Sequence, residues 1–149
     1  MKFVLFCASL TLGAPMWAQM SRSGCAIVTI ADVANVLGPG TTQRETGGNC
    51  IFASKDMSAA VTANLTPDGG TPFNVMKFNV AQSPGNVVKD EPTIGEYAFS
   101  VMPKEGNGFT IFLLKGTWGA TISMSQKAKL TEVQKAALRR LAKAAISKM

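Results

Sequence analysis

Tyr97-Ala98-Phe99-Ser100-Val101-Met102, Phe109-Thr110-Ile111-Phe112-Leu113-Leu114 and Ala120-Thr121-Ile122-Ser123-Met124 follow one another within the stretch Ile94–Met124. Turns rich in glycine separate them, Pro103-Lys104-Glu105-Gly106-Asn107-Gly108 and Lys115-Gly116-Thr117-Trp118-Gly119. Short β-branched and aromatic runs bounded by such turns predict an antiparallel meander. The middle run is apolar on both faces, which predicts the central strand of the sheet. A sheet of this kind is a scaffold and carries no chemistry by itself.

Working outward, Ser58 to Leu65 alternates, with Ala59, Val61, Ala63 and Leu65 on one face, as a half-buried strand does. Asn49 to Ser54 precedes it as a second strand, joined through a turn at Lys55-Asp56-Met57. Upstream, Thr29 is placed to cap a short helix, with Asp32 three residues on as a capping-box acid and Gly38-Pro39-Gly40 as its stop. Thr41 to Gly48 and Val87 to Thr93 read as polar connections, and Pro67-Asp68-Gly69-Gly70 as a loop. Thr71 to Gln82 reads as a helix capped by Thr71-Pro72, with Phe73, Met76 and Val80 on one face, although Val75, Phe78 and two asparagines weaken helix propensity and leave a strand beginning at Phe73–Val75 as the alternative. At the C-terminus Thr131 and Gln134 form a capping box. Val133, Ala137, Leu138, Leu141, Ala144 and Ala145 fall within one arc of that last helix, and Lys135, Arg139 and Lys143 line the opposite side as a solvated face. The expected fold is therefore α+β, a two-layer sandwich of order α-β-β-α-β-β-β-α, with an antiparallel sheet of about five strands and helices on one face.

The first residues read as an export signal. Met1-Lys2 is a positive n-region, Phe3 to Leu12 an apolar core, and Trp17-Ala18-Gln19 a cleavage site after Ala18. The apolar run is about half of the ~20 residues a spanning helix needs. Residues 1–18 are then a signal peptide and 19–149 a single exported domain, secreted or periplasmic, with no transmembrane segment in the mature chain. Cys7 leaves with the signal, and Cys25 and Cys50 remain. In an oxidising compartment the pair reads as one disulfide in preference to two free thiols. Arg22-Ser23-Gly24 before Cys25 is no lipobox.

The chain holds no histidine, which removes the commonest general base and zinc ligand. With the cysteines bonded, thiol chemistry goes as well. The one adjacent acid pair, Asp90-Glu91, reads as a solvated turn, and Lys115-Gly116-Thr117 lacks the glycine lead and residue order of a phosphate loop. No cofactor or metal site is expected, and no enzyme. Asn64-Leu65-Thr66 matches a glycosylation sequon but falls inside a strand. The net charge of +6 and pI near 9.5 allow weak attraction to anionic surfaces. Aromatic residues are not interleaved with the cations, which argues against nucleic acid.

Cys25-Ala26-Ile27-Val28-Thr29 leads into a helix ending Val36-Leu37-Gly38, then Asn49-Cys50-Ile51-Phe52, Ile94-Gly95-Glu96-Tyr97-Ala98-Phe99 and a terminal Leu138-x-x-Leu141-Ala142. This order resembles a family of small cell-envelope lipoproteins of unknown function. It is similar also to the extracellular sensor domains of certain bacterial serine/threonine kinases. The resemblance implies a two-layer sandwich with a cysteine bridge near the first helix, and a binding or sensing role. The expected ligand is a small molecule or protein of the cell envelope, held in a groove between sheet and helices or at the edge marked by Trp118, Lys115, Thr117 and Tyr97. Two alternatives stand beside it: an interaction or inhibitor module using the Pro103–Gly108 turn, and a small hydrolase working through Ser or Lys.

Overall fold

The computed structural model describes residues 22–67 and 73–149; the signal-peptide reading, the Asp68–Gly70 loop and the Thr71-Pro72 cap lie outside them. The elements run α1 (Ile30–Leu37), β1 (Thr42–Thr46), β2 (Asn49–Ala53), β3 (Ala59–Pro67), α2 (Phe73–Gln82), β4 (Asn86–Asp90), β5 (Tyr97–Pro103), β6 (Gly108–Lys115), β7 (Trp118–Gln126) and α3 (Glu132–Lys148). The fold is α+β with an open antiparallel sheet, and it departs from expectation in strand number and helix order. The sheet has seven strands in the order β1-β2-β3-β7-β6-β5-β4. The two extra strands, β1 and β4, are its edges, where the sequence predicts polar connections. An edge strand is held by backbone hydrogen bonds on one side only, so its side chains need no apolar alternation. All five β1 side chains are exposed.

Two meanders, β1–β3 and β4–β7, meet where β3 pairs with β7 from Ala59↔Gln126 to Pro67↔Trp118. The middle strand is therefore β7, not Phe109–Leu114, which lies one place off centre as β6. On the principal face Phe52, Val61, Ile122, Ile111 and Ala98 join the core with Val33 of α1 and Leu138, Leu141, Ala142 and Ala145 of α3. Both helices carry the anticipated capping boxes, at Thr29/Asp32 and Thr131/Gln134.

The helices do not share one face. Along β5, Ala98 faces the principal core, so Phe99 points the other way, where its ring lies edge-on to Phe73 of α2 at 5.0 Å and stacks on Phe112 at 4.7 Å. Thus α2 covers the reverse face at β4 and β5, and the double apolarity of β5 and β6 records cover on both sides. Within α3 the buried arc is also turned from the expected one: Val133 is 76% exposed, and Ala142 is buried.

The disulfide between Cys25 and Cys50 is present. It brings a short 3-10 turn, Gly24–Ala26, against β2 and β3. A side chain on Gly24 would meet the Ala63 carbonyl oxygen at 1.9 Å, so only glycine permits this approach. Among the described residues no helix is long and apolar enough to cross a membrane.

Candidate functional site

Tyr97 opens β5 and Lys115 closes β6, so antiparallel pairing carries both to the same end of the sheet. Together with Ile94, Glu96, Leu114 and Ile146 they line an open cleft of about 380 Å³ between that end and the last turn of α3. Tyr97 is 47% exposed and presents its ring beside Phe73. The Lys115 ammonium donates to the Ile146 carbonyl at 2.9 Å, satisfying an orphan acceptor at the C-terminal end of α3. A Cβ on Gly95 would lie 2.5 Å from Ile146 Cδ1, the flexible end of that side chain. Apolar walls with a phenol, a carboxylate and an ammonium at the rim can hold an amphiphilic small molecule.

The other two candidate residues do not line the cleft, although Trp118 is the cross-strand neighbour of Lys115. Trp118 is half-buried against the principal core, with the Arg22 guanidinium 5.8 Å from its ring. Thr117 is exposed in the β6–β7 turn and does not line the cleft. The cleft therefore takes in Tyr97 and Lys115, while Trp118 stands beside Lys115 on the next strand and Thr117 in the turn between them. Ile94, Leu114 and Ile146 were missed because sequence alone does not show which helix end meets which strand end.

A second cluster corrects the reading of Asp90-Glu91 as a solvated turn. Glu91 is buried, 7% exposed, and accepts from the Ser100 hydroxyl at 2.7 Å and from Arg139 Nε at 2.9 Å on each oxygen. Arg139 Nη2 adds a contact at 2.9 Å, and the guanidinium lies 5.0 Å from the centre of the Phe109 ring. Arg139 is thus a packing cation joined to the sheet. Lys135 is half-buried and paired with Glu132, which leaves Lys143 as the exposed member of the expected solvated face. A carboxylate that keeps both oxygens bonded in a dry site is well satisfied, and the cluster reads as structure.

Other polar groups are engaged likewise. Asp56 is held down to about 2, chiefly by the Ser54 hydroxyl, then by the hydroxyl and backbone N–H of Ser58, which fixes the β2–β3 turn. Asp32 is lowered first by the Thr29 hydroxyl, with Lys148 adding a smaller pull. Among the described residues the buried serines, Ser54 and Ser100, donate to carboxylates. Asn64 is half-buried in β3 and donates to the Asn49 side-chain oxygen at 2.7 Å. Among the described residues no three acids or cysteines come together to hold a metal ion.

No family model, no curated protein and no solved structure matches this chain.

Proposed function

We propose that the chain is an exported, non-catalytic binding or sensing module whose ligand, a small amphiphilic molecule of the periplasm or cell envelope, occupies the cleft at Tyr97 and Lys115. The observation that carries this reading is the cleft itself. Its volume falls within the roughly 300–1,000 Å³ of small-molecule sites, and its lining joins apolar side chains to Glu96, Tyr97 and Lys115. The Cys25–Cys50 bridge supports an oxidising compartment, as does the signal-like run Phe3 to Leu12. The inhibitor alternative has weaker support, because the Pro103–Gly108 turn is bonded to its neighbours on two sides. Lys104 N–H donates to the Gly85 carbonyl at 2.8 Å, and the Gly106 carbonyl accepts from Leu130 at 2.7 Å.

The test is a fragment screen followed by amide chemical shifts on the isotopically labelled protein. Amphiphilic fragments should shift Ile94–Tyr97, Leu114–Gly116 and Ile146–Ser147 together, and Leu114→Arg should abolish those shifts while the spectrum stays folded. Shifts gathered on another surface, or unchanged by Leu114→Arg, would remove the cleft from consideration.

A further inference from the structure

We propose that the corner built by β4, the β5–β6 turn and the start of α3 is a docking surface for an anionic lipid bilayer. Several contacts bring these segments together. The Gly106 carbonyl accepts from Leu130 N–H, Lys104 N–H donates to Gly85 just before β4, and a Cβ placed on Gly106 would lie 3.7 Å from the Lys129 side chain. Gln126 and Gln134 bond each other through their side chains and lock the link between β7 and α3.

Lys89, Lys104, Lys127 and Lys129 all stand exposed at this corner, and none has an ion pair among the described residues. The acids there are largely cancelled: Asp90 pairs with Lys77, Glu91 is held by Arg139 and Glu132 by Lys135, leaving Glu105. The Glu132 carboxyl is lowered first by its hydrogen bond to Lys135 and further by Arg139 and Lys89, which places β4 and α3 cations around one point.

Two exposed apolar side chains lie on the segments that build the corner. Val133 is 76% exposed on the first turn of α3, between Lys129 and Lys135 in the chain, and Val87 is 37% exposed two residues before Lys89. A soluble polyanion gives these valines nothing to enter, and a nucleic acid would call for an exposed aromatic, whereas Phe109 here is buried. A bilayer offers both partners, anionic headgroups for the lysines and the acyl boundary for the valines.

Co-sedimentation of the purified chain with mixed phosphatidylglycerol–phosphatidylcholine vesicles tests this, with pure phosphatidylcholine vesicles as baseline. Each corner lysine should contribute about fivefold, so Lys104→Gln with Lys129→Gln should weaken partitioning about 25-fold. Arg22→Gln with Arg44→Gln removes the same charge at the other end and the other edge of the sheet and should leave it within about twofold. Val133→Ser, which keeps the charge, should weaken it as well. Absence of binding above baseline overturns the proposal, and so does equal loss in the arginine pair, which would mean net charge alone. Retention on heparin with corner dependence but without vesicle binding also overturns it, in favour of a soluble polyanion.

Discussion

At the scale of single residues, the buried Glu91 is the most consequential side chain that the sequence concealed. Adjacent Asp90 is exposed and pairs with Lys77, so two neighbouring acids in one short polar run end in opposite environments. The difference comes from α3, which lays Arg139 over Phe109 and against the Glu91 carboxylate. Removing one partner of such a pair strands a charge in a dry site. Arg139→Ala is therefore expected to cost about 3 kcal/mol in urea unfolding. Glu91→Gln combined with Arg139→Met should recover much of that loss, because neither side chain then carries an uncompensated charge. A cost for Arg139→Ala within the ordinary range of surface substitutions, below about 0.5 kcal/mol, would show that the pair is solvated after all.

Among the elements, α1 and α3 were legible because their signals are local. Thr29 with Asp32 and Thr131 with Gln134 state where each helix starts, and Leu138 and Leu141 mark the packed side of α3. The edge strands were not legible, since Thr42–Thr46 owes its conformation to pairing with β2, and that leaves no trace in side-chain polarity. The position of α2 was half legible. Phe73, Met76 and Val80 are its half-buried stripe as read from spacing, but which side of the sheet they meet depends on Phe99 and Phe112 needing cover. This helix buries no residue completely and leaves Val75 and Phe78 exposed, at 46% and 62%. Local stability follows buried apolar contact, so α2 should open well before the rest of the fold. In native-state hydrogen exchange its amides should be the fastest of the three helices, and Phe73→Ala should speed them further without changing those of α3. Protection of α2 equal to that of α3 would refute this ordering.

For the whole molecule, the pairing of β3 with β7 makes one sheet of two meanders, and the disulfide joins the chain leading into α1 to the first of them. The pairing of Cys25 with Cys50 followed from reading the chain as an exported domain, and the general α+β class from strand alternation and helix caps. Much less of the candidate site was readable, because Tyr97 and Lys115 meet Ile146 only after α3 has crossed the sheet. Continuity of the sheet predicts that the two meanders unfold together. The bridge closes a separation of 25 residues, and on the chain-entropy account its loss costs about 3.5 kcal/mol. Cys25→Ala with Cys50→Ala is the cleaner variant, since Cys50 is fully buried and a hydroxyl there would add a penalty of its own. In a Trp17→Phe background its urea midpoint should fall by the amount this figure implies, with circular dichroism and Trp118 fluorescence still tracing one transition, because Trp118 closes the β3–β7 ladder that holds the halves together. Separate transitions for the two probes would mean that the first meander depends on the bridge alone, and the sheet would then have to be regarded as two weakly coupled units.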